Sequence, residues 1–170
     1  MNSLDKEQQK EKFIFGCILL FANKIQTIGD RFDKDITMKQ WFLIICILET
    51  KESFPTLSAV AEFMGCSRQN VKKMALKLEE KGLVKIENDP NDSRSVKLTV
   101  TNKCEKFFNK REIRENQFLN DFFKDLTEED INNVHAAFLK LYKNIIEMDA
   151  ISKTGFSYGN LNYLTDCEDN

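Results

Sequence analysis

Thr56-Leu57-Ser58-Ala59-Val60-Ala61-Glu62-Phe63-Met64-Gly65-Cys66-Ser67-Arg68-Gln69-Asn70-Val71 is the stretch whose reading decides the fold. Thr56 can cap a short helix that carries Leu57, Val60, Ala61 and Met64 at helical spacing. Gly65 suits the left-handed position that ends it. Ser67 caps a second helix with an apolar stripe of Val71, Met74 or Ala75, and Leu78, and Gly82 ends that one. Two short helices joined by so tight a turn form a helix-turn-helix.

Past Gly82 the period changes. Leu83 to Glu87 and Val96 to Val100 alternate apolar and polar, as half-buried strands do. Between them Asn88-Asp89-Pro90-Asn91-Asp92-Ser93-Arg94-Ser95 holds only turn formers and charges. A polar-tipped hairpin directly after a helix-turn-helix is a wing.

The flanks are helical. From about Glu7 to Gly29, Ile14, Ile18, Phe21, Ile25 and Ile28 mark one stripe, and Phe13, Cys17 and Leu20 put apolar groups on further faces. Such a helix needs more than one burial partner, its own subunit and a second chain. Thr37 to Gln40 has the form of a capping box opening a central helix, apolar on all sides from Trp41 to Leu48 and ending near Thr50. Helix resumes after Thr101 and is expected to run unbroken to about Asp125. Thr127 caps a last helix with a heptad-like seam of Ile131, Val134, Phe138, Leu141, Ile145 and Met148, suited to pairing between subunits. The expected fold is mainly α with a small β-hairpin. A winged helix-turn-helix over residues 37–100 is flanked by dimerisation helices over 7–36 and 101–150, with a loosely docked tail over 151–170.

Composition narrows the function. Six glycines and two prolines against 14 phenylalanines favour long helices over a many-stranded sandwich. The five cysteines are scattered without C-x-x-C spacing, which argues against a zinc ribbon and for reduced cytoplasmic thiols. No secretory signal is legible, and the uninterrupted apolar run Phe13 to Ala22 falls short of the ~20 residues that span a bilayer. No nucleophile–base set or metal-ligand cluster appears, so no catalytic or metal residue is assigned, no cofactor is expected, and His135 reads as structural. The net charge of −2 hides an asymmetry: Thr56 to Arg111 holds 12 lysines and arginines against 7 acids. A basic module between acidic flanks can engage phosphates.

The candidate contacts follow from position. In a helix-turn-helix the first residues of the second helix meet base edges in the major groove. Arg68 can pair with guanine, and Gln69 or Asn70 with adenine. Ser67 and the helix N-terminus can hold a phosphate, and Lys72 and Lys73 neutralise others. At the wing, Ser93 and Arg94 would approach the minor groove, Asp92 would orient the Arg94 guanidinium, and Lys97 would share the contact. The bland alternatives are a solvated first turn and an exposed ion pair.

Asp89-Pro90-Asn91-Asp92-Ser93-Arg94, shortly before Val100-Thr101, resembles the wing signature of the MarR (multiple antibiotic resistance) regulators. Leu57 to Ala61, Ser67 to Val71 and Leu78 to Val84 are similar to that family's helix-turn-helix, and the resemblance covers about Ile14 to Met148. It implies a cytoplasmic homodimer paired through terminal helices, bound to palindromic double-stranded DNA and commonly released by a small aromatic effector or an oxidant. Such wings often carry two basic residues at the tip, where this one has Ser93 before Arg94. Cys17 to Ala22 resembles the stretch around the sensing cysteine of the family's hydroperoxide branch, which makes Cys17 a candidate regulatory thiol. That branch has a tyrosine four residues on, where this chain has Phe21, so a buried small hydrophobe is the competing reading. Trp41 is a candidate wall of an effector cleft. The alternative function is a winged helix used for protein–protein assembly without specific DNA binding.

Overall fold

The computed structural model describes residues 3–50, 54–89 and 92–154. The order is α1 (Ser3–Phe32), α2 (Met38–Glu49), α3 (Leu57–Phe63), α4 (Arg68–Glu80), β1 (Val84–Asp89), β2 (Asp92–Val100), α5 (Asn102–Asn109), α6 (Glu112–Phe123) and α7 (Glu128–Lys153). The chain divides into two compact units, Met1–Glu112 and Ile113–Asn170.

The first unit is built around α2. Thr37 caps it with a full capping box, its Oγ1 accepting from the Gln40 N–H while the Gln40 side chain accepts from the Thr37 N–H. Leu43, Ile44, Cys46 and Ile47 bury against Leu57, Val60 and Ala61 of α3 and Val71, Ala75 and Leu78 of α4. Thr56 and Ser67 cap α3 and α4 as their side chains predict, and Gly65 and Gly82 take positive φ (62° and 71°) at the two helix ends.

The hairpin pairs Val84 with Val100, Ile86 with Leu98 and Asn88 with Val96. That register turns Val84 and Leu98 into the core, with Ile86, Val96 and Val100 packed against it. A register shift after Asn88 sets Asp89 opposite Asp92. The segment before α3 covers the outer edge of β2: Thr56 bridges Lys97, and the Leu98 N–H donates to the Pro55 carbonyl at 3.0 Å. Proline suits this place because it has no N–H to leave unpaired at the edge.

Residues 101–125 differ from the expected single helix. α5 ends at Asn109, and the Arg111 N–H closes a tight turn onto the Phe108 carbonyl at 2.8 Å. The cause is long-range: the Arg111 side chain turns inward to the Asp33 carboxylate. α5 itself belongs to the winged-helix core through buried Cys104.

The second unit holds α6 and α7. Thr127 caps α7 with a capping box completed by Asp130. The expected seam is present but wider, because Leu139, Tyr142 and Ile146 beside it are also exposed. His135, beside that seam, is exposed. Of the tail expected over 151–170, residues 155–170 lie outside the described residues.

α1 corrects the reading of Phe13 to Ala22 as too short an apolar run. Within Lys6–Phe32 an 18-residue window reaches a mean hydropathy of 1.2, which makes this the one helix among the described residues long and apolar enough to cross a membrane by length and composition. An uninterrupted apolar run is too strict a measure here, because the helix continues apolar through Ile25 and Ile28, past Asn23 and Lys24.

Candidate nucleic-acid interface

The N-terminus of α4 is the best-defined part of the site. The Ser67 hydroxyl accepts from the Asn70 N–H at 3.3 Å and fixes the first turn. Val71, Ala75 and Leu78 bury one face of α4, which leaves Ser67, Arg68, Gln69, Asn70, Lys72 and Lys73 exposed. All the helix residues singled out in the sequence are therefore solvent-exposed around the first turns of α4. The fork of Arg68 and the amides of Gln69 and Asn70 match the donor and acceptor patterns of base edges, and the lysines match phosphates.

The rear of α4 is anchored to the wing. The Glu79 carboxylate accepts from the Ile86 N–H of β1 at 2.8 Å. Thr101 Oγ1 donates to the Gly82 carbonyl at 2.8 Å, and Lys103 Nζ donates to the Lys81 carbonyl at 2.6 Å. These bonds fix the angle between α4 and the hairpin. They are not legible in the sequence, because an exposed-looking Glu or Lys carries no mark of a partner many residues away.

At the wing, Asp92 is exposed at the start of β2. Pro90 and Asn91, and the side chains of Ser93 and Arg94, lie outside the described residues, and with them the expected Asp92–Arg94 pair. Lys97 is an ion-pair partner of Asp89, Nζ to Oδ2 at 2.9 Å, with the side chains 29% and 14% exposed. The pair braces the hairpin where its register shifts, a role for both residues that the sequence does not suggest.

A buried ionic contact ties the end of α1 to the turn after α5. Arg111 Nη2 donates to Asp33 Oδ2, and the guanidinium stands 4.5 Å over the Phe107 ring. The Asp33 Oδ1 accepts from the Asp35 N–H at 2.8 Å. Burial pushes the Asp33 carboxyl up. The hydrogen bond from Arg111, that of Asp35, the guanidinium charge and the Ile36 N–H together outweigh burial, and its pKa falls below the usual carboxylate value.

The thiols divide by environment. Burial, then the nearby Cys66 and Glu49, pushes Cys46 up to about 11, and burial with Glu105 does the same for Cys104. Cys17, the candidate regulatory thiol, is half-buried on α1. Trp41 is half-buried on α2 against the core. No group of three or more His, Cys, Asp or Glu able to hold a metal ion occurs among the described residues.

Residues 36–96 match the sequence model of the MarR family. No curated protein matches the chain. Among solved structures, a MarR transcriptional regulator from Methanosarcina mazei Go1 superposes with a TM-score of 0.68 at 16% identity, over 81% of this chain and 99% of that one. A MarR/EmrR-family transcriptional regulator from Acinetobacter sp. ADP1 gives 0.66 at 16% identity, over 81% and 97%. The transcriptional regulator BldR from Sulfolobus solfataricus gives 0.64 at 19% identity, over 85% and 99%. These likenesses share the winged-helix fold, and the family match falls on the segment that builds helix-turn-helix and wing. The chain thus carries a segment, residues 36–96, that matches the MarR family model, and it shares its winged-helix fold with solved MarR-family regulators.

Proposed function

We propose that this regulator is a cytoplasmic homodimer that represses transcription by occupying a palindromic operator. The observation that carries the reading is the α4 surface, where Ser67, Arg68, Gln69, Asn70, Lys72 and Lys73 are exposed opposite a fully buried Val71–Ala75–Leu78 face. Arg68 to Asn70 read base edges, Lys72 and Lys73 hold phosphates, and Arg94 reaches the minor groove from the wing.

Dimerisation is supported by apolar surface that water would not tolerate. Phe13 and Phe15 of α1 are 71% and 67% exposed, and Ile145 of α7 is 60% exposed within one chain. A second copy covers such faces without a membrane. Two-fold pairing sets the recognition helices about 34 Å apart, one turn of duplex. A small aromatic ligand or an oxidant releases the DNA only by favouring another spacing of those helices.

The test is a salt titration of binding to a duplex selected from random sequence, with Arg68→Ala and Arg94→Ala beside the wild type. The expected result is steep salt dependence and a loss of about 1–3 kcal/mol for each substitution. Shallow salt dependence, no selected sequence and indifference to both substitutions would leave a winged helix used for protein–protein assembly.

A further inference from the structure

The charged surface of α4 continues past the turn that reads bases. At about 100° per residue, Lys73, Lys77 and the C-cap Lys81 fall on one strip of the helix, and all three are exposed. At its end Lys103 Nζ donates to the Lys81 carbonyl, which carries the strip onto α5. There Lys103, Lys106 and Lys110 repeat at spacings of three and four, all exposed. Cys104 and the Phe107–Phe108 pair take the inner side of α5, and Glu105 lies on the far flank with Asn102 and Asn109.

None of these six lysines forms an ion pair with a described residue, whereas Lys85, Lys97, Lys143 and Lys153 do. Like charges four residues apart destabilise a helix, so this spacing works against the fold. At 1.5 Å per residue the track runs about 12 Å along α4 and about 10 Å along α5. Duplex DNA carries one negative charge per roughly 1.7 Å of axis, and a line of such lysines continuous with the recognition surface complements it.

Resting on the DNA-binding reading above, we propose that the track Lys73–Lys77–Lys81–Lys103–Lys106–Lys110 is a second contact for the DNA backbone. It engages phosphates that flank the segment read by the start of α4. The track leaves the groove end of α4, so flanking duplex meets α5 only by curving toward it, and a bent flank is part of the proposal.

The test uses the full chain and a selected duplex in two lengths, one trimmed to the footprinted half-sites and one extended by about one helical turn on each side. Lys106→Gln/Lys110→Gln is the variant, because both side chains are exposed and bond no described residue, while Lys103 caps α4. The wild type is expected to bind the extended duplex at least tenfold more tightly at low salt. The variant is expected to forfeit that gain and to keep wild-type affinity for the trimmed duplex. Its salt slope on the long duplex should fall by about 0.9 for each phosphate no longer neutralised. Equal wild-type affinity for both lengths overturns the inference and leaves base recognition standing. Equal weakening of the variant on both lengths also overturns it, placing the lysines in the core contact. If the wild type selects no sequence, the DNA reading falls and takes this inference with it.

Discussion

Replacing Asp33 with asparagine strips the buried Arg111 guanidinium of its ion-pair partner. Asp33 and Arg111 are each only 8% exposed, so the substitution leaves a guanidinium in the interior facing a neutral amide. Removing one partner of a buried ion pair costs about 3–5 kcal/mol, because the remaining charge stays desolvated. Two contacts soften the loss: Asp35, at 3.9 Å from Arg111 Nη1 and largely exposed, and the face of Phe107. The expected cost is therefore about 3 kcal/mol, at the low end of that range. With a urea slope of about 2 kcal/mol/M, the unfolding midpoint falls by about 1.5 M at about pH 7 and fixed protomer concentration. The double substitution Asp33→Asn/Arg111→Met removes both charges and should regain much of the loss. The pH dependence has a definite sign. The folded carboxyl titrates below its unfolded value, so its contribution is complete above about pH 4–5 and is lost as pH falls through the folded value. A midpoint for Asp33→Asn within about 0.3 M of wild type near pH 7, or an equal deficit at about pH 3 and pH 7, would refute the reasoning.

Other substitutions test separate parts of the molecule. Ser67→Ala removes the cap of α4 and should cost about 1 kcal/mol in urea unfolding, with DNA binding weakened beyond that through a frayed first turn; unchanged operator affinity would count against fixed presentation of Arg68 to Asn70. Ile145→Glu places a charge on the exposed seam of α7 and should shift the chain toward monomer in light scattering, whereas an unmoved mass would remove that face from the dimer contact. The thiols should separate in a timed alkylation at about pH 7.5 read by mass spectrometry: Cys46 and Cys104, buried and titrating near 11, stay unmodified in the folded chain, while half-buried Cys66 reacts first of the three.

Most of the winged helix is legible because its signals are local. A cap hydroxyl at Thr37, Thr56, Ser67, Thr101 or Thr127 acts on a backbone N–H three residues on, and each is found doing so. Gly65 and Gly82 mark the two helix ends where the turn takes positive φ, and the period of two in Val84 to Ile86 and Val96 to Val100 sets which side of the hairpin is buried. The break at Arg111 is not legible, because no glycine or proline marks it and the cause is a carboxylate 78 residues away.

The same division runs through the site. Arg68 to Lys73 announce themselves by being polar at the start of a helix whose other face is apolar, which is a one-helix pattern. What gives that pattern a fixed orientation is the set of bonds that lock α4 to its surroundings: Glu79 to the Ile86 N–H, Thr101 to the Gly82 carbonyl, Lys103 to the Lys81 carbonyl. Each joins residues adjacent only after the hairpin has folded back, so each is invisible to periodicity. Lys97 makes the point in the other direction. Counted from the sequence it is one more cation near the wing tip, but the register shift after Asn88 brings Asp89 within 2.9 Å, and its charge holds the wing's shape. The basic excess of residues 56–111 is thus of two kinds, lysines paired within the fold and lysines left exposed without a described ion-pair partner, and only the folded chain sorts one from the other.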